Sequence, residues 1–335
     1  MTDMRLIEFL TRPEAYPERP HDVRLVQTHI SWVFVGDEYA YKLKKPVDFG
    51  FLDFSTLEKR KFYTDEELRL NRRFSPDLYL GVVPISEHDG NYFIDDNTGI
   101  IEYALRMRRI NEEKVLSSLL AKGELSKEDI RFVGRSLAGL YGKIESDEKA
   151  RLFGSPRIVA FNVMENFDQT RKYIGGPVDE KTFSDIESWS RSFLEENEAL
   201  FLERASAGHC KECHGDLHLQ HVVLDEDGVS VFDCIEFNER FRYSDVATDA
   251  AFLSMDFDCN SRSDLGRAFS EAFIEESGDA SMGKVLLFYK VYRALVRAKV
   301  CSFMIDDSGI DAAARQAAFD RAARYYDLAH RYISQ

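Results

Sequence analysis

His214-Gly215-Asp216-Leu217-His218-Leu219-Gln220-His221 runs into Val222-Val223-Leu224, Asp225-Glu226-Asp227-Gly228 and Val229-Ser230-Val231-Phe232-Asp233, and this stretch decides the reading. The runs 222–224 and 229–232 are short and β-forming, and the acidic-glycine segment between them is a strong turn signal. A hairpin centred near Asp227 makes positions 221 and 233 symmetric about the turn. His221 and Asp233 are therefore expected side by side at its open end, with Glu236 shortly after. Asp216 lies five residues before that end, in a loop. Two carboxylates beside a further potential ligand suit phosphoryl transfer, in which one group orients a nucleophile and another holds a divalent cation on the phosphates.

Outward from this island the texture differs on the two sides. Before about residue 110, β-like runs at 31–35, 38–44, 82–85, 92–94 and 100–105 surround one helix, expected from a Ser55/Glu58 capping box to about Phe74. After it the chain reads as helical. Ser126 and Asp129 form a second capping-box pattern, with Ile130, Val133, Leu137, Leu140, Tyr141 and Ile144 at helical spacing behind it. Further helices are expected near 180–204, 244–257, 262–277, 283–305 and 310–332. The fold class is therefore α+β: a small β-rich N-lobe over 1–105, a hinge near 102–112, and a larger α-helical C-lobe over 106–335.

Composition narrows the function. The 335 residues carry 44 Lys and Arg against 59 Asp and Glu, a net charge of −15. A nucleic-acid binder needs a basic surface to release counterions, so no nucleic-acid partner is expected. No run approaches 18 apolar residues, so no membrane span is expected, and Met1 to Leu10 shows no basic start before an apolar run. Five thinly spread cysteines point to free thiols and a cytoplasmic setting.

HGDLHLQH followed by FDCIEF resembles the catalytic and metal-binding segments of the aminoglycoside phosphotransferase family, a relative of the protein kinases with the pattern HxDxxxxN and a later metal-binding Asp. The resemblance extends forward to Asp249, similar to the structural aspartate that ties the catalytic loop to a helix. It extends back to Ala40-Tyr41-Lys42, similar to the strand with the phosphate-binding lysine, and to Glu66-Glu67 on the first helix. Thr28-His29-Ile30-Ser31 falls at the nucleotide loop. The resemblance implies a protein-kinase-like two-lobed fold and ATP-dependent phosphorylation of a hydroxyl on a small molecule, by in-line transfer. Asp216 would be the catalytic base or orienter. Asp233 would bind Mg²⁺, helped by Glu236. Lys42 would hold the phosphates, fixed by Glu67, with Lys44 and Glu66 as the rival positions. Ser31 would donate to a phosphate, and Glu102 to Leu105 would offer backbone bonds to an adenine edge.

The sequence departs from the family at the pattern's Asn, which is His221, a second metal position. Neutral imidazole suits Mn²⁺ or Zn²⁺ better than hard Mg²⁺. That substitution motivates an alternative, a catalytically silent nucleotide-binding scaffold. A protein kinase is a third reading, opposed by only eleven residues between Asp233 and Asp245. No GxxxxGK[ST] occurs, which excludes a P-loop kinase. Cys210-x-x-Cys213-His214 spells a haem-attachment pattern, and with His209, His218 and His221 it offers a zinc alternative. The kinase-like pattern uses His214 and His218 for packing and hydrogen bonding instead. Lys290, Arg293, Arg297 and Lys299 on the 283–305 helix read as a salt-bridged face. Arg240 and Arg242 are better placed to meet substrate or phosphate.

Overall fold

A computed structural model describes residues 4–50, 52–307 and 309–334. The elements run α1 (Met4–Leu10), β1 (Arg24–Gln27), β2 (Ser31–Val35), β3 (Tyr39–Lys44), α2 (Leu57–Arg72), β4 (Tyr79–His88), β5 (Asn91–Ile94) and β6 (Ile100–Arg108). Then come α3 (Leu116–Lys122), α4 (Lys127–Gly142), α5 (Glu148–Phe153), α6 (Pro156–Thr170), α7 (Glu180–Glu196), α8 (Glu198–Ser206) and β7 (Cys210–Glu212). The hairpin strands β8 (Val222–Asp225) and β9 (Gly228–Val231) follow, then α9 (Glu239–Arg242), β10 (Tyr243–Asp245), α10 (Val246–Cys259), α11 (Ser263–Ser277), α12 (Met282–Ile305) and α13 (Ala312–Ile333). The class is α+β.

Two compact units divide the chain, one of residues 1–118 with 221–239, the other of 119–220 with 240–335. The sequence reading drew a single break after 105. The hairpin belongs to the first unit because its backbone is bonded there: Ser75 Oγ accepts from Val231 N and donates to Val231 O, each at 2.8 Å.

The first unit is built on an antiparallel sheet of order β1-β2-β3-β6-β4-β5. Side chains alternate across β3. Tyr41 and Leu43 join Phe34, Ile85, Ala104 and α1's Leu6 and Leu10 on one face. Ala40 lies on the other face with Tyr79, Leu105, Met107, α2's Leu68 and Phe232. Period 2 therefore commits Lys42 and Lys44 to the α2 face. Thr56, not Ser55, caps α2: its side chain accepts from Lys59 N, and the helix ends at Arg72. The buried face of α2 includes Arg60, Thr64, Glu67 and Asn71, spaced as one helical stripe.

In the second unit the expected Ser126/Asp129 capping box forms in full, with both bonds present. Leu137 and Tyr141 lie on the buried side of α4, whereas Leu140 is only partly buried and Ile144 lies past the helix end. Gly134 lets α4 and α11 meet, since a Cβ there would lie 2.7 Å from Phe269 O. The long helices fall close to the expected ranges. α1, α3, α5, α6 and α9 were not read from the sequence, and the helix expected near 180–204 is two, α7 and α8. No helix among the described residues is long and apolar enough to cross a membrane, and all five cysteines are free.

Candidate active-site residues

In the first unit β3, α2 and the end of the hairpin bring five ionised side chains together. Lys42 Nζ donates to Glu67 Oε1 at 2.7 Å and to Asp233 Oδ1 at 2.5 Å. Lys44 Nζ donates to the other Glu67 oxygen at 2.7 Å and also to Glu236. The two lysines were rivals for one role, yet both are used, one on each oxygen of Glu67. Glu66, one residue over on the helix, pairs instead with Arg69. Lys44, Glu67 and Glu236 are buried, while the Asp233 side chain is 44% exposed.

Three carboxylates face two ammonium groups here. Burial opposes charge on Lys42, but Asp233 and Glu67 outweigh it and hold the ammonium well above its ordinary value. Burial likewise opposes Glu67, whose carboxyl Lys42 and Lys44 hold down. Glu236 goes the other way: burial pushes it up, and Lys44 only partly offsets this. Burial thus disfavours charge on Glu236, and Asp233 is the carboxylate of the group that solvent reaches. Glu236 is held by Lys44 and is closed to solvent, which does not fit the metal-binding part expected of it. Asp233 has both the exposure and the hard oxygen donors that a divalent cation takes.

The hairpin register differs from expectation by one residue. Val222 faces Val231 and Asp225 faces Gly228 around a two-residue turn, Glu226-Asp227. Position 221 therefore meets 232, with Phe232 N donating to His221 O at 3.1 Å. Asp233 lies past the ladder at φ 67°, a left-handed conformation that costs a non-glycine residue about 1–3 kcal/mol. Two backbone bonds hold it there: Asp233 N donates to Tyr79 Oη, and Cys234 N to Asn71 Oδ1, both at 3.0 Å. His221 is still near, its Nε2 3.7 Å from Asp233 Oδ2. Sequence reasoning missed Asn71, Ser75 and Tyr79. Their only signal is that Asn71 continues the α2 stripe through Thr64 and Glu67.

Other expected nucleotide contacts are placed differently. Ser31 is fully buried, and its Oγ has no hydrogen-bond partner among the described residues, while its N–H donates to Thr28 Oγ1 at 2.9 Å. Glu102 is buried against Arg60 at 2.8 Å. Leu105 pairs with Lys42 on one edge and Val82 on the other. The stretch 102–105 is sheet interior, and Leu105 leaves no free backbone edge. β6 ends only at Arg108.

In the second unit the loop around Asp216 is organised by Asp249. This carboxylate is fully buried on α10. It accepts from His214 N at 2.8 Å, Gly215 N at 3.2 Å, Tyr141 Oη of α4 at 2.6 Å and Arg293 Nη2 of α12 at 3.3 Å. Gly215 has φ 87°, and that turn lets consecutive N–H groups share one acceptor. His214 Nδ1 accepts from Asp216 N, and His218 Nδ1 from Gln220 N, both at 3.2 Å. His218 therefore carries its proton on Nε2, which lies 3.4 Å from Asp216 Oδ2. Asp216 is thus a partly exposed carboxylate on a loop fixed by its neighbours. It also faces a cation: burial opposes Arg297, but Tyr325 and Asp216 hold its guanidinium above the ordinary value.

The alternatives resolve locally. Cys213 Sγ donates to Ser244 O at 3.3 Å. Cys210 is buried, and desolvation pushes its thiol up, away from the thiolate a metal needs. Among the described residues no cluster of metal-ligand atoms includes either cysteine. Arg242 is buried on Glu212 at 3.0 Å and is not available to a phosphate. Arg240 pairs with Glu165 at 2.9 Å. On α12, Lys290 pairs with Asp258 at 2.9 Å and Arg293 with Asp249, the salt-bridged pattern expected.

Comparison with known proteins gives a consistent picture. Residues 66–285 match the model of a phosphotransferase enzyme family, APH. The uncharacterized proteins Rv2004c of Mycobacterium tuberculosis and Mb2027c of Mycobacterium bovis are each 32% identical over 279 residues, covering 83% of this chain and 54% of the relative. The chain spans about half the length of these curated relatives. A choline/ethanolamine kinase family protein from Mesorhizobium loti superposes with TM-score 0.55 at 12% identity, over 98% of each chain. Choline kinase from Cryptosporidium parvum gives 0.56 at 10%, over 99% of this chain and 95% of that one. Aminoglycoside 2′-phosphotransferase-IIIa, in its GDP complex, gives 0.55 at 8%, over 98% and 99%. These likenesses give the fold, the protein-kinase-like α+β fold.

Proposed function

The chain belongs to the phosphotransferase enzyme family, and from that membership we propose that it transfers the γ-phosphoryl group of ATP to a hydroxyl of a small molecule. The observation that carries this reading is the Lys42–Glu67 and Lys42–Asp233 pairing at the one exposed carboxylate of an otherwise buried network. Such a lysine is a fixed cation for nucleotide phosphates, and Glu67 holds it from behind. A divalent cation at Asp233 would neutralise charge on those phosphates, with His221 as the neighbouring donor that tunes the metal preference. Asp216 accepts the acceptor hydroxyl's proton or orients it, with His218 fixing the carboxylate's other side. Positioning and electrostatics supply most of the acceleration. No observation favours a silent scaffold, because lysine, glutamate and both aspartates are all present.

The test is transfer of labelled γ-phosphate from ATP to a panel of hydroxylated metabolites. Asp216→Ala should reduce transfer by about 10²–10⁴-fold, the usual worth of a positioned acid or base, with ATP affinity unchanged. Full activity in that variant refutes the assignment.

A further inference from the structure

The uncharged residues around Asp233 form a pattern of their own. Glu67 and Asn71 on α2 and Ser75 in the turn after it lie four residues apart, and all three are buried. Glu67 takes the two lysines, Asn71 Oδ1 accepts from Cys234 N, and Ser75 Oγ holds both backbone groups of Val231. Asn71 is oriented for this task, because its Nδ2 donates to Glu67 O at 2.8 Å and leaves Oδ1 to accept. One line of residues thus grips the chain on either side of position 233.

Tyr79 grips position 233 itself, and a β-bulge aims it there. Tyr79 faces Met107 while Gly81 already faces Arg106, so Leu80 is one residue more than the ladder needs. Period 2 would put Tyr79 and Val82 on opposite faces of the sheet. The extra residue brings both to the α2 face, with Ala40 and Leu105. Arg72, the last residue of α2, fixes the bulge: its Nε donates to Tyr79 O at 2.8 Å and its Nη2 to Leu80 O. The Tyr79 phenol, 1% exposed, then accepts from Asp233 N at 3.0 Å.

The strain of Asp233 at φ 67° is of the same order as what one or two hydrogen bonds return. We infer that Asn71 and Tyr79 are positioning residues for Asp233, so that affinity for the divalent cation on the nucleotide depends on two buried, uncharged side chains. Loss of either bond lets Asp233 relax toward negative φ and turns its carboxylate from its place beside Lys42. Because Asn71 lies on α2 and Arg72 holds the bulge, the position of α2 and the cation affinity are linked. This rests on the phosphotransferase reading and adds to it the residues that keep the metal-binding carboxylate in place. Neither side chain carries charge, so a change in cation binding on their removal reports geometry and not lost Coulomb attraction.

Paramagnetic resonance of Mn²⁺, titrated into the full chain with ADP present, tests this on wild type, Tyr79→Phe and Asn71→Ala. Calorimetry of ADP without metal and thermal melting run in parallel. Tyr79→Phe keeps the buried ring and loses only the hydroxyl; Asn71→Ala carries the same test should that variant fail to fold. Each folded variant should bind Mn²⁺ about three- to tenfold more weakly than wild type, while its affinity for ADP without metal stays within about twofold. The inference is overturned if either folded variant binds Mn²⁺ as tightly as wild type. It is also overturned if ADP affinity without metal falls by the same factor as Mn²⁺ affinity, the mark of a merely loosened unit. Wild type that binds no Mn²⁺ with ADP overturns the phosphotransferase reading itself, and this inference with it.

Discussion

Two aspartates anchor the polar architecture of the two units, and their surroundings are opposites. Asp249 is fully buried, lies inside a helix and accepts from two backbone amides, a tyrosine and an arginine. Asp233 is 44% exposed, sits at φ 67° beyond a strand end, and belongs to a group with more carboxylates than ammoniums. Asp249 is matched by donors throughout, as a buried charge must be. Asp233 is left strained and short of positive charge, a state that persists only where surrounding bonds enforce it. One aspartate holds a loop in shape. The other is itself held in shape, with its carboxylate open to solvent.

The largest effect that would break this comparison is on stability. Asp249→Ala removes the common acceptor of four donors and leaves Arg293 buried without its partner. It should cost about 3–5 kcal/mol, read as a large drop in melting temperature or failure to fold. Asp233→Ala should change stability by about 1 kcal/mol or less, because the lost Lys42 contact is offset by relief of excess negative charge. Equal losses in the two variants would erase the distinction.

A cycle on the buried pair in the first unit sharpens it. Lys44→Met alone leaves the Glu236 carboxyl buried without its ammonium partner, and should destabilise by about 3 kcal/mol. Adding Glu236→Leu should restore most of that, giving a coupling energy of about 1–3 kcal/mol. Additive losses would mean that Lys44 and Glu236 do not depend on each other in holding the segment after Asp233.

These same residues show what the sequence could and could not disclose. The motif segments and the long helices were legible because HGDLHLQH is dense and the helical spacing after 126 is regular. The even spacing of Lys42 and Lys44 was legible too, but not that one glutamate would serve both. α6 was missed although Ser155-Pro156 and Val159, Val163 and Phe167 mark a helix start and a buried stripe. Asn71 and Thr64 were not singled out, because a polar residue buried for its hydrogen bonds has the same letter as one in water. The hairpin slipped by one position because turn length, not composition, sets register. Glu102 to Leu105 were expected to offer backbone bonds to an adenine edge, but the sheet order, with β6 between β3 and β4, makes this stretch an interior. Strand order is long-range information that no local pattern carries.

The smallest effect concerns acid. Lys42 and Lys44 hold the Glu67 carboxyl below its ordinary range, against burial. A depressed carboxylate contributes stability above its unfolded value and loses it as pH falls through the folded value. The stability difference between wild type and Glu67→Gln should therefore be constant above about pH 5 and shrink below it. A difference that grows on acidification would reverse the sign assigned to Glu67.

The most direct test is a calorimetric titration of ATP, first with Mg²⁺ and then with Mn²⁺, on wild type and Asp233→Ala. The account predicts metal-dependent binding in wild type, lost or reduced at least about tenfold in the variant, with His221 favouring Mn²⁺ over Mg²⁺. Equal ATP affinity in the two proteins, or binding indifferent to metal, would contradict the claim that Asp233 is held open for a cation on nucleotide phosphates.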